Sequence, residues 1–192
     1  MGKHILVING NPDPAPERLT GAIAGAYAAA AAGAGHSVAR LDIGSLEFPL
    51  LRRNADFLTE PAEADILTAR DEIRRADHLA FVYPLWLGGP PALLKAFMEQ
   101  ISRAGFALEA SEGGFPRGRL KGKSARIMVT MGMPALVYRL IYRAHGVRAF
   151  NASILGIAGI KPINTSYFGA VGLEQRCREA VLAAGALGRD AL

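Results

Sequence analysis

Five short apolar runs recur along the chain, and helix-like stretches separate and follow them. The runs are Lys3–Asn9, His36–Asp42, His78–Tyr83, Ser124–Thr130 and Ile160–Phe168. Runs this short, bounded by Gly, Pro, Asn and Asp, read as strands, and the most continuous of them as strands buried on both faces. The stretches Glu17–Ala32, Pro61–Arg75, Pro91–Arg103 and Gly172–Leu187 read as helices, and Leu136–Gly156 as amphipathic and partly helical. Such an alternation predicts an α/β fold in three layers, a parallel sheet with helices on both faces and right-handed crossovers. For five strands the predicted order is 2-1-3-4-5. Ligands of such sheets bind beyond the carboxyl ends of the strands, at the switch point between strands one and three.

The loops after strands one, three and four, beginning at Asn9, Tyr83 and Thr130, are therefore predicted to converge on one pocket. Two segments stand outside the alternation. Ile43–Glu60 is a long irregular connection, a length usually functional or packed as a lid. Residues 104–122 are Gly-rich and polar, predicted as a hairpin flap around Glu112-Gly113-Gly114-Phe115.

A length of 192 residues fits one domain, 1–192. The composition, 51% hydrophobic and 20% charged, excludes a disordered chain. The single cysteine, Cys177, excludes an internal disulfide framework and a multi-cysteine metal site, and fits a cytoplasmic location. Met1–His4 runs straight into Ile5-Leu6-Val7-Ile8, too short for a signal segment. The Ala-rich run Ala22–Ala34 reads as a buried helix, and no integral membrane segment is expected. The net charge of +5 suits anionic ligands. The densest basic cluster, Arg117 to Arg126, lacks interleaved aromatics, so no nucleic acid is expected.

The first loop, Gly10–Gly21, contains no G-x-G-x-x-G and no P-loop. A helix start with free amides, together with Asn11, Arg18, Leu19 and the Thr20 hydroxyl, is the phosphate-holding alternative; a Pro-stiffened turn with a solvated arginine is the other reading. The second loop, Pro84-Leu85-Trp86-Leu87-Gly88, offers successive amides beside apolar groups, as a flat heteroaromatic ring requires. Trp86, the only tryptophan, either faces that ring or packs in the core. The third loop, Thr130-Met131-Gly132, has a glycine where a ligand can approach the backbone. Tyr138 and His145 follow it. No His, Cys, Asp and Glu cluster has metal-ligand spacing.

The stretch Tyr83-Pro84-Leu85-Trp86-Leu87-Gly88-Gly89-Pro90-Pro91-Ala92-Leu93-Leu94-Lys95-Ala96-Phe97 resembles the flavin-ring loop and following helix of the NAD(P)H:quinone oxidoreductase family. Val129-Thr130-Met131-Gly132, the segment from Tyr138 to His145-Gly146, and Gly156–Pro162 resemble that family's later segments in the same order. The resemblance implies a flavodoxin-like fold and hydride transfer from NADH or NADPH to flavin and on to a quinone-like acceptor, in ping-pong sequence. It implies FMN, with FAD also open, held by residues of the three loops, and Tyr138 and His145 stabilising the reduced flavin or the quinone oxygen. It implies a homodimer, with Val137, Leu140 and Phe150 as interface candidates. A non-enzymatic flavodoxin-type electron carrier and a regulatory oxidoreductase seated on a membrane channel are the alternatives. Such carriers are typically acidic, whereas this chain is basic.

Overall fold

The computed structural model of the chain describes residues 2–109 and 116–191. Its strands are β1 (His4–Asn9), β2 (Ser37–Asp42), β3 (His78–Pro84), β4 (Leu108–Glu109), β5 (Arg117–Gly118), β6 (Ser124–Thr130) and β7 (Ile163–Phe168). Its helices are α1 (Leu19–Gly33), α2 (Asn54–Leu58), α3 (Ala64–Arg75), α4 (Ala92–Ser102), α5 (Ala135–Leu140), α6 (His145–Phe150) and α7 (Glu174–Asp190), with a π-helical stretch at Asn151–Gly156. The main sheet is parallel, ordered β2-β1-β3-β6-β7, which is the predicted 2-1-3-4-5.

The sheet divides the core in two because alternate side chains of each strand point to opposite faces. Ile5 and Val7 of β1, Ala80 and Val82 of β3 and Met128 of β6 pack under α1 and α7. Leu6, Ile8, Phe81, Ile127 and Val129 pack with α3, α4 and α6. Small residues let α1 and α7 approach closely: a Cβ on Gly188 would collide with the Tyr27 carbonyl. Phe150 is buried against Phe81 and Tyr83, at ring-centroid distances of 5.5 and 5.7 Å. It belongs to the core, which corrects its assignment to an interface.

The long connection after β2 is clamped from below. The buried Arg103 guanidinium donates to the carbonyls of Asp56 at 2.8 Å and of Thr59 and Glu60 at 3.1 Å. Buried Arg70 donates to the carbonyls of Ile101 and Arg103 and pairs with Glu60. The connection is thus held as ordered chain with a single 3-10 turn at Ile43–Ser45 and one short α-helix, α2. The expected flap begins as an antiparallel ribbon, β4 on β5; its residues 112–115 lie outside the described residues. Among the described residues, no helix is long and apolar enough to cross a membrane and no group of side chains is placed to hold a metal ion.

Candidate functional site

The loop after β1 is built by three side chains in series. Asn9 Oδ1 accepts from the Asn11 amide at 3.3 Å, Asn11 Oδ1 from the Asp13 amide at 3.1 Å, and Asp13 Oδ1 from the Ala15 amide at 3.0 Å. Asn and Asp turn a chain in this way by replacing a backbone acceptor with a side-chain one. The loop then closes onto β3, where Gly10 donates to the Val82 carbonyl at 2.7 Å. A Cβ on Gly10 would lie 2.8 Å from a Leu94 methyl, so a larger residue there would push the Leu94 side chain aside.

The turns carry the chain past Glu17, and α1 begins at Leu19, not at Glu17 as the charge pattern suggests. Arg18 occupies the capping place, no side chain caps the helix, and its first turn holds no acidic residue. The amides of Leu19, Thr20 and Gly21 have no acceptor among the described residues. A cation beside the positive end of a helix dipole is an unfavourable pairing that a bound anion relieves. Arg18 is held to Asp13 at 2.6 Å and is half-exposed. The Asp13 carboxyl is lowered below its ordinary range, by the Ala15 amide first and the Arg18 guanidinium second. Buried Thr20 and Asn11 are joined at 3.0 Å, with the Asn11 amide donating to the Thr20 hydroxyl. A phosphate fits the helix start and the Arg18 guanidinium, while Thr20 and Asn11 shape the loop beneath.

The loop after β3 is a tight turn. Trp86 and Gly89 exchange backbone hydrogen bonds at 2.9 and 3.0 Å, and the two central residues, Leu87 and Gly88, have φ of 47° and 83°. Two positive φ values in a two-residue loop define a type I′ turn, which normally takes Asn or Gly first. Here Leu87 stands first, and its side chain is fully exposed. Trp86 is 51% exposed, so it is not a core aromatic.

The expectation that every amide from Leu85 to Gly88 reaches a ring is corrected by this geometry. The Leu85 amide donates to the Thr130 carbonyl at 2.8 Å, and that of Trp86 to Gly89. Of the four, Leu87 and Gly88 alone have amides without an acceptor among the described residues. Pro84 pairs with Thr130 at the ends of β3 and β6, so the second and third loops rise side by side.

In the third loop Thr130 and Met131 are buried, and the Met131 amide is committed to the Phe168 carbonyl at 2.9 Å. Gly132 is exposed, with open space where a Cβ would stand. The chain after β7 steadies this loop: Val171 donates to the Met131 carbonyl at 3.2 Å and Ala170 to that of Met133 at 3.0 Å.

Tyr138 is buried, and its hydroxyl donates to the Gly88 carbonyl at 2.8 Å while the Val147 amide donates to it at 3.4 Å. Burial raises the phenol above its usual pKa. His145 is exposed at the start of α6, after Arg143 and Ala144 in left-handed conformation. A Cβ on Gly146, the next residue, would collide with the Gly88 carbonyl. This backbone contact, and the Asn9-Asn11-Asp13 series, are absent from the sequence expectations. The Asn-x-Asn-x-Asp spacing could have signalled the second; nothing local signals the first.

The three loops therefore meet at one end of the sheet. They bound an open surface, while cavities of about 430 and 490 Å³ lie along the connection after β2. Along α5 and just after it, the side chains of Leu136, Leu140, Ile141 and Tyr142 are exposed and add apolar surface.

Comparison with known proteins agrees with this architecture. Residues 3–187 match the family model described as flavodoxin-like fold. An FMN-dependent NADH:quinone oxidoreductase from Bordetella petrii is 35% identical over 89 residues, 46% of this chain and 42% of that protein. An uncharacterised NAD(P)H oxidoreductase from Haemophilus influenzae is 31% identical over 124 residues, 62% of this chain and 59% of that one. The chain spans about half the length of these relatives. The solved NAD(P)H:quinone oxidoreductase of Methanothermobacter marburgensis superposes with a TM-score of 0.86 at 22% identity, covering 99% of each chain. By sequence model, strand order and shape alike, the chain belongs to the flavodoxin-like fold family.

Proposed function

We propose that the chain is a flavin-dependent NAD(P)H:quinone-type oxidoreductase with FMN as its cofactor. One observation carries the reading. An exposed turn with two uncommitted amides, Leu87 and Gly88, stands beside an uncapped helix start with a flanking arginine, at the switch point of the sheet. A ring with a carbonyl edge and a phosphate tail needs those two kinds of donor. The names of the relatives point the same way.

A bound flavin would supply the two-electron chemistry between a nicotinamide and an acceptor. The protein's share is placement and electrostatics. The Leu87 and Gly88 amides would donate to the carbonyl edge, Gly132 would leave room for it, and Trp86 and Leu87 would cover an apolar face. The start of α1 and Arg18 would hold the phosphate. His145, exposed beside the turn, is the group available to hold a proton against an acceptor oxygen. Such an open site accepts quinone-like molecules broadly. The apolar patch of Leu136, Leu140, Ile141 and Tyr142 supports a homodimer, which would cover surface of a kind monomers rarely leave bare. We place the protein in the cytoplasm, as one domain.

Steady-state oxidation of NADH and NADPH by the FMN-loaded protein with a benzoquinone or naphthoquinone tests the reading. Turnover that saturates in both substrates is the expected result. Stable FMN binding with no turnover from either nicotinamide would replace it with the electron-carrier reading.

A further inference from the structure

We propose that Tyr138 is a positioning residue, whose hydroxyl pins the Leu87–Gly88 turn and so fixes the two free amides, and that it supplies no proton to the substrate. The inference rests on the flavin reading for its consequences but not for its geometry.

A phenol carries one proton and donates once. In Tyr138 that proton goes to the Gly88 carbonyl at 2.8 Å, and the oxygen also receives the Val147 amide at 3.4 Å. The ring is held as well, stacked on Tyr142 at 6.3 Å and tilted against Tyr167 at 6.1 Å. With the side chain 1% exposed, an acceptor molecule on the open surface has no route to this hydroxyl.

The turn needs such a pin. Leu87 holds a left-handed conformation that a branched side chain disfavours, and its side chain packs on nothing. The backbone bonds Trp86–Gly89 and Leu85–Thr130 close the base of the turn. At its tip, the side chain that grips the backbone is Tyr138. The same oxygen meets Val147, two residues beyond His145, so the pin also sets the start of α6 against the turn. Burial raises the phenol's pKa further above neutral.

The test is Tyr138→Phe, which keeps the ring and removes the hydroxyl, with Tyr142→Phe as the control that keeps the pin. Trp86 is the only tryptophan and flanks the turn, so it reports turn order without any cofactor. In time-resolved fluorescence anisotropy of the apo-protein, the fast-motion amplitude of Trp86 is expected to rise clearly in Tyr138→Phe and to stay unchanged in Tyr142→Phe. FMN affinity is expected to fall about 5-fold, the usual effect of one lost neutral hydrogen bond. The pH profile of kcat/KM for the quinone should keep its shape. An unchanged Trp86 signal, or the loss of one limb of the pH profile, would overturn the proposal, the second result making Tyr138 a proton donor. If the wild-type protein binds no flavin, the flavin reading fails while the Trp86 signal still decides whether the pin exists. If Tyr138→Phe does not fold, the hydroxyl proton of Tyr138 in the wild-type protein decides by NMR. A slowly exchanging hydroxyl signal supports the bond to the Gly88 carbonyl, and a hydroxyl that exchanges freely with water contradicts it.

Discussion

Gly146 stands so close to the Gly88 carbonyl that no side chain fits between them. Two segments far apart in sequence, the turn after β3 and the start of α6, meet there backbone to backbone. That contact and the Tyr138 hydrogen bond beside it hold the tip of the turn that carries the Leu87 and Gly88 amides.

Gly146→Ala puts a methyl group into this contact. Backbone is what it meets, so the turn must shift and cannot simply relax. FMN affinity is expected to fall about 10-fold or more, equivalent to about 1.4 kcal/mol, with the far-ultraviolet circular dichroism unchanged. Quenching of FMN fluorescence on titration measures it. Equal affinity in the two proteins would mean that the turn does not hold the ring.

Leu87→Gly acts on the same turn with opposite effects on stability and binding. A non-glycine residue in the left-handed region costs about 1 kcal/mol. Leu87 gains nothing back from packing, being fully exposed. The variant is expected to unfold at higher denaturant concentration, by about 1 kcal/mol in free energy, and to bind FMN more weakly. A variant that is both less stable and equally tight-binding would contradict the assignment of Leu87 to the ring face.

His78 makes stability depend on pH. It is buried at the start of β3, with Nε2 3.0 Å from the Tyr27 hydroxyl and Nδ1 2.7 Å from that of Ser124. Burial first, then the positive charges of Lys3 and Arg126, lower its pKa from 6.5 to about 4. The unfolded chain therefore binds a proton below pH 6.5 that the folded chain refuses. Stability is complete above about pH 6.5 and falls as pH drops toward 4, by about 3 kcal/mol from this group. Urea denaturation at pH 7 and pH 4.5 should show most of that loss, and His78→Gln should flatten it. An equal slope in the variant would assign the acid sensitivity to other groups.

Much of the architecture is legible in the sequence, and the reasons are local. Ile5-Leu6-Val7-Ile8 and Leu79-Ala80-Phe81-Val82 are unbroken because both faces of the sheet are covered. The last strand is less legible. Ile160 and Pro162 look like its beginning, but a proline has no amide to donate, and pairing with β6 starts at Ile163. The start of α1 is displaced from Glu17 to Leu19 by the turns at Asn9, Asn11 and Asp13. Phe150 reads as an interface residue in an amphipathic stretch and proves to be core, because its ring packs on Phe81 and Tyr83 of β3.

The meeting of the three loops at one end of the sheet is legible too, because strand order sets the switch point. Which amides those loops leave free is not. Gly88-Gly89-Pro90 announces a turn, but which amides it leaves free depends on Trp86 pairing with Gly89 and on Thr130, distant in the chain, capturing Leu85. Long-range backbone pairing of this kind leaves no mark in local composition.

The measurement that bears most directly on this account is equilibrium titration of the purified protein with FMN, followed by flavin fluorescence and by the intrinsic fluorescence of Trp86. One FMN per chain is expected to bind at micromolar concentration or below, with both signals changing together and with loss of binding in Gly88→Val. Failure of the wild-type protein to bind either FMN or FAD, or binding that leaves Trp86 and the Gly88→Val variant unaffected, would contradict it.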